Sequence, residues 1–89
     1  MVTKMYEIVF SKRAIKDIKY LKQHPSLLKK AKNLVEIIKE DPFKTPPTFE
    51  KLVGDLEGLY SRRINIRHKL IYKIEKNVIY IVRLWTHYE

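Results

Sequence analysis

Residues 58–86, GLYSRRINIRHKLIYKIEKNVIYIVRLWT, decide the fold. Their β-branched and aromatic residues fall into three short runs, about 58 to 66, 68 to 75 and 78 to 86, with Lys76-Asn77 as the turn between the last two. Runs joined this closely read as a three-stranded antiparallel meander. Within the first run, side-chain alternation sets Arg63 opposite Tyr60, Arg62, Ile64 and Ile66, so a core on that side sends Arg63 outward. Arg62 then reads as a structural brace for a carboxylate or carbonyl. His68, in phase with Leu70 and Tyr72, reads as a buried, hydrogen-bonded histidine, and Tyr60 and Trp85 read as packing residues. In the last run His87 shares parity with Arg83, so a cation and a proton donor can look out from one surface.

Upstream, residues 5 to 10 read as a strand, with Ser11 capping a helix that runs to about Gln23. Ala14, Ile15, Ile18 and Leu21 recur at three- and four-residue steps, whereas Lys12, Lys16 and Lys19 form a cationic stripe on another face. His24-Pro25 breaks the helix, because the residue before proline avoids helical angles, and Ser26 can cap a second one. Leu27, Leu28, Ala31, Leu34, Val35 and Ile38 give that helix its apolar face, which ends near Asp41-Pro42. So short a connection makes the two helices antiparallel. Residues 42 to 50 hold three of the four prolines and are expected to form an ordered loop without regular structure. The expected architecture is α+β: a strand, two antiparallel helices, then the three-stranded meander, with helices on one face of a largely antiparallel sheet. The other face is left to carry a site. Residues 1–89 read as a single domain, with no repeat and no linker.

Nineteen Lys and Arg against ten Asp and Glu give a net charge of +9, and 45% hydrophobic residues exclude a disordered basic tail. Polyanions are the first partner class to consider, since each neutralised phosphate releases counterions. Residues 1–40 alone carry ten cations against four carboxylates, which suits contact with a large RNA surface. Cysteine is absent, so disulfides and thiolate chemistry are excluded. No apolar stretch approaches a membrane span and no apolar signal core opens the chain; a cytoplasmic protein without membrane contact is expected. With only Gly54 and Gly58 there is no Gly-rich phosphate loop, and no HExxH or paired-histidine spacing occurs. Neither a cofactor nor a metal is expected. What remains is a set of polar groups in the β half: Glu50, Arg62, Arg63, Arg67, His68, Lys69, Arg83, His87 and Tyr88. Metal-free RNA cleavage needs a base for the 2′-hydroxyl, cations for the phosphate and an acid for the departing 5′-oxygen. A carboxylate, arginines or lysines, and a histidine supply those parts. Register between strands is not readable from sequence, so which of these groups converge stays open, and Glu50, Arg63 and His87 each also have a plain reading as solvated surface residues.

The segment LEGLYSRRINIRHKLIY, residues 56–72, together with the end Trp85-Thr86-His87-Tyr88, resembles the Txe/YoeB branch of the RelE-type toxins of bacterial toxin–antitoxin modules. The opening strand and helix and the Pro-rich turn before Glu50-Lys51-Leu52 extend the resemblance over nearly the whole chain. It implies a microbial-ribonuclease-like fold and an mRNA interferase that cleaves message on the translating ribosome, leaving a 2′,3′-cyclic phosphate. By position, Glu50 matches the family's general base, His87 its general acid, Arg63 a phosphate-stabilising arginine and Tyr88 a terminal tyrosine that orients substrate. Lys69 departs from the family's pattern, which has a second phosphate-stabilising arginine there; lysine keeps the charge but loses the bidentate fork. The departure implies either weaker activity or compensation by Arg67, and Glu89 adds a negative charge beside Tyr88. Lys12, Lys16, Lys19, Arg67 and Arg83 are the expected RNA-binding residues. Implied partners are an acidic, YefM-like antitoxin, the ribosome and its mRNA, in a homodimer or a toxin–antitoxin hetero-oligomer. The alternative is a non-catalytic module of the same fold that binds RNA or antitoxin and has lost cleavage through changes such as Lys69. DNA binding lacks a recognition helix.

Overall fold

The computed structural model of the protein describes residues 6–46 and 48–84. Strand β1 (Glu7–Phe10) leads into helix α1 (Lys12–Leu21) and helix α2 (Pro25–Glu40). The chain then forms β2 (Glu50–Lys51), a 3-10 turn (Gly54–Leu56), β3 (Tyr60–Arg63), β4 (Lys69–Glu75) and β5 (Val78–Arg83). The five strands make one mixed sheet in the order β1-β5-β4-β3-β2, with β1 parallel to β5 and every other pair antiparallel. The expected α+β plan of a strand, two helices and a meander is present.

Ser11 ties the start of the fold to its end. Its hydroxyl accepts the Ala14 N–H at 3.0 Å as the α1 cap and donates to the Val82 carbonyl at 2.7 Å, while its own N–H reaches the Ile81 carbonyl at 2.9 Å. A side chain that caps a helix and bridges to β5 contributes about 1–2 kcal/mol. The second cap differs from expectation. His24 is the N-cap and Pro25 the first helical residue, because that position needs no N–H and suits proline's fixed φ; Ser26 lies inside the helix.

Ala14 and Leu21 of α1 and Ala31, Leu34 and Ile38 of α2 pack with Leu70, Tyr72, Ile79 and Ile81, all buried, and with Ile8, Phe10 and Tyr60 around them. These sheet residues share one face, so both helices cover that face. Each fully buried aliphatic side chain contributes about 1.5–3 kcal/mol. Two apolar positions depart from the sequence reading. Ile15 is half exposed, because Asp17 takes the inward position between Ala14 and Leu21. Ile66 is 87% exposed because β3 stops at Arg63. Asn65 there folds the chain into a turn, its side-chain oxygen accepting the N–H groups of Arg67 and His68 at 2.9 and 2.7 Å.

The Pro-rich segment also departs from expectation at its end, where Glu50 and Lys51 pair with Ser61 and Tyr60 as a fifth strand. Rings hold this segment down. Phe43, Phe49 and Tyr60 contact one another with centroids 5.3–6.0 Å apart, and Tyr60 lies 5.7 Å from Tyr72. At the segment's start the Pro42 carbonyl accepts both the Tyr72 hydroxyl at 2.8 Å and the Arg62 guanidinium at 3.0 Å. The hairpin from β2 to β3 closes through Gly58, whose φ of +93° is a conformation that side-chain-bearing residues rarely adopt.

Candidate functional site

Alternation carries the anchoring of Phe49 directly into the placement of Glu50. Phe49 packs on Tyr60 and lies 5.3 Å beneath the Arg62 guanidinium, so the next residue is turned to the opposite face of the sheet. There Glu50 is the register partner of Ser61, and two residues further along β3 Arg63 is the partner of Lys69 on β4. Glu50, Arg63 and Lys69 therefore share the face that the helices leave uncovered. Diagonal neighbours of this kind stand about 7–8 Å apart, a span that one phosphodiester and its flanking ribose can bridge. Glu50 and Arg63 are exposed and Lys69 is half-buried. This face is not uniformly solvated, for Ser61 and Ile71, the row between Glu50 and β5, are 2% and 6% exposed.

Arg62 fills the role read from its phase. It is 1% exposed, donates from Nε to the Tyr72 hydroxyl at 3.2 Å and from Nη2 to the Pro42 carbonyl, and so braces the loop that delivers Glu50. Burial pushes the Tyr72 phenol above its ordinary value of 10.0, and the hydrogen bond and positive charge of Arg62 pull it partly back. His68 is buried as expected. Arg67 is exposed at the tip of the β3–β4 turn, two residues from Lys69.

The structure corrects the placement of Arg83. Its guanidinium grips Asp17 of α1 with two hydrogen bonds of 2.9 and 3.1 Å, on the helix side, and does not look out beside Arg63. Arg83 is in phase with Ile79 and Ile81, the buried residues of β5, so alternation along the strand turns it to the helix-covered side. Asp17 is the residue that the sequence reading missed. It is 3% exposed and also accepts the Leu84 N–H at 2.9 Å. Its position, three residues after Ala14 and four before Leu21, was the available signal. Lys12, Lys16 and Lys19 are all exposed along α1. His87, Tyr88 and Trp85 lie outside the described residues.

Among the described residues no group of three or more His, Asp or Glu side chains could hold a metal ion, and no helix is long and apolar enough to cross a membrane.

The sequence model of the family described as "YoeB-like toxin of bacterial type II toxin-antitoxin system" matches residues 10–88. Toxin YoeB of Synechocystis sp. is 33% identical over 84 residues, which cover 93% of this chain and 98% of that one. Toxin YoeB of Streptomyces coelicolor is 42% identical over 60 residues, covering 67% and 71%. Among solved structures, the YoeB-YefM complex from Staphylococcus aureus superposes with a TM-score of 0.83 at 36% identity, covering 93% of this chain and 98% of that one. The YoeB dimer from the same organism gives 0.82 at 36% identity, covering 94% and 99%. With a matching family model over residues 10–88 and relatives of this likeness, the chain belongs to the YoeB-like toxins of bacterial type II toxin–antitoxin systems.

Proposed function

We infer that the protein is a metal-independent endoribonuclease whose residues 1–89 act as one toxin domain, cleaving message on the translating ribosome in the cytoplasm. The observation that carries this reading is the strand register that sets Glu50, Arg63 and Lys69 on one sheet face. Glu50 takes the proton of the 2′-hydroxyl as O2′ attacks the adjacent phosphorus. Arg63 and Lys69 neutralise the non-bridging oxygens as charge builds on them. His87 gives its proton to the departing O5′, and Tyr88 orients the substrate. The products are a 2′,3′-cyclic phosphate and a 5′-hydroxyl end, so each proton taken is matched by one given. Lys12, Lys16, Lys19, Arg67 and Arg83 hold RNA through its phosphates.

The similar Staphylococcus aureus proteins, solved as a YoeB-YefM complex and as a YoeB dimer, support an acidic YefM-like antitoxin as partner and a homodimer or toxin–antitoxin hetero-oligomer as assembly. Induced expression of the wild-type chain is expected to arrest growth, whereas Glu50→Ala and His87→Ala, folded to the same extent, are expected to relieve it. Unchanged toxicity in both variants refutes their roles.

A further inference from the structure

Helix α2 meets the end of β3 in a cleft of about 270 Å³ lined by Lys30, Asn33, Leu34, Arg63 and Ile64. Lys30, Asn33 and Leu34 recur at three- and four-residue steps, so one face of α2 forms one wall. Leu34 and Ile64, 7% and 5% exposed, belong to the core and give the cleft an apolar floor. Lys30, Asn33 and Arg63 are exposed around it. None of these three side chains makes a hydrogen bond or ion pair with another described residue, so their donors and the Asn33 acceptor are open to a ligand. No carboxylate lines the cleft, and its two cations select an anionic group.

Its position ties the cleft to the cleaving face. Along β3 the chain passes Ser61, the partner of Glu50, then Arg63, the partner of Lys69, and enters the cleft at Ile64. In the functional reading, Glu50 meets the 2′-hydroxyl of the nucleotide before the scissile phosphate, and Arg63 meets that phosphate. Continuing in the same direction brings the nucleotide on the 3′ side of the phosphate to the cleft. The volume lies just below the range of about 300–1,000 Å³ usual for sites that engulf a small molecule, which suits part of a strand anchored elsewhere. An apolar floor takes the face of a base, and Lys30 pairs with the phosphate that follows it. Asn33 presents a donor and an acceptor side by side, the pattern that pairs with N6 and N7 of adenine, and single-stranded RNA leaves such base edges accessible. An acidic peptide would answer the two cations but not the amide above an apolar floor.

We propose that this cleft reads the nucleotide on the 3′ side of the cut: Asn33 pairs with adenine there, Leu34 and Ile64 support its ring, and Lys30 holds the following phosphate. The proposal rests on the endoribonuclease reading and adds to it a base preference and the residue that sets it.

The test is single-turnover cleavage in ribosome complexes programmed with four messages that differ only in the nucleotide 3′ of the cut. The wild-type chain is expected to cut before adenosine about fivefold or more faster than before uridine. Asn33→Ala is expected to lose that preference while cutting before uridine within about twofold of wild type, a change that a merely structural role does not produce. Asn33→Gln, whose amide makes the same pair, keeps part of the preference. Lys30→Ala slows cleavage of all four messages alike, as loss of a phosphate contact should. An Asn33→Ala protein that retains the wild-type preference, or a wild-type chain that cuts all four messages equally, overturns the site and leaves the endoribonuclease reading standing. Loss of polyglutamate binding in Asn33→Ala and Lys30→Ala, with cleavage unaltered, overturns it in favour of a protein partner. A wild-type chain that binds the ribosomes and cuts none of the four messages overturns both the site and the endoribonuclease reading.

Discussion

Arg63 on β3 and Lys69 on β4 are register partners on the uncovered face of the sheet, with Glu50 paired to Ser61 two residues before Arg63. A lysine opposite an arginine gives the clamp two charges but only one planar fork. Lys69→Arg is therefore expected to raise the rate of message cleavage roughly 3- to 10-fold, since a bidentate contact to a phosphate is the stronger one. Lys69→Ala is expected to lower it. Single-turnover cleavage of message in ribosome complexes measures both; an unchanged rate in Lys69→Arg shows that the lysine does not touch the phosphate.

Neighbouring arginines are expected to fail in opposite ways. Arg63 is exposed, so Arg63→Ala should shift stability by no more than about 0.5 kcal/mol while cleavage falls about 100-fold or more. Arg62 is buried and bridges the Tyr72 hydroxyl and the Pro42 carbonyl, so Arg62→Ala should cost about 2–4 kcal/mol in denaturant unfolding. A stable Arg62→Ala protein contradicts its bracing role.

The contrast between these two arginines marks what the sequence makes legible. Strand alternation around Tyr60 and Ile64 was enough to tell the buried arginine from the exposed one, and three- and four-residue spacing was enough for both helices, since these patterns reflect local backbone geometry. Glu50 was readable as a residue but not as a strand. Two residues of β-structure leave no periodic signal, and its pairing depends on ring contacts among Phe43, Phe49 and Tyr60 that join separate parts of the chain. Arg83 was misplaced because its phase was read against His87 and not against Ile79 and Ile81, which turn to the helices. Asp17 was missed because an inward-facing carboxylate makes sense only once its partner, 66 residues away, is known.

That long-range pair yields a stability prediction. Asp17→Ala strands the Arg83 guanidinium and the buried Leu84 N–H together, at a cost of about 2–3 kcal/mol after allowing for the solvent that reaches Arg83. Thermal unfolding measures it, and a loss within about 0.5 kcal/mol shows that the pair contributes nothing.

Tyr72 gives the fold an alkaline limit. Because burial raises its phenol above the ordinary tyrosine value, the folded chain holds that proton more tightly than the unfolded chain does. Its contribution is complete below about pH 10 and is lost as pH rises through the folded value. Tyr72→Phe forfeits the hydrogen bond to the Pro42 carbonyl and is less stable near neutrality, but the gap to wild type should narrow above about pH 10. Denaturant midpoints of both proteins across that range check the sign; a constant gap means that the phenol does not titrate differently on folding.

The central claim is that a carboxylate, two cations and a histidine on this small basic domain cut RNA. Mapping of 5′ ends on message incubated with translating ribosomes and purified protein tests it most directly. The account predicts new 5′-hydroxyl ends, matched by upstream fragments that carry 2′,3′-cyclic phosphates, and the absence of both with Glu50→Ala. Ribosome binding by the folded wild-type protein without any new ends would contradict it and identify the chain as a binding module.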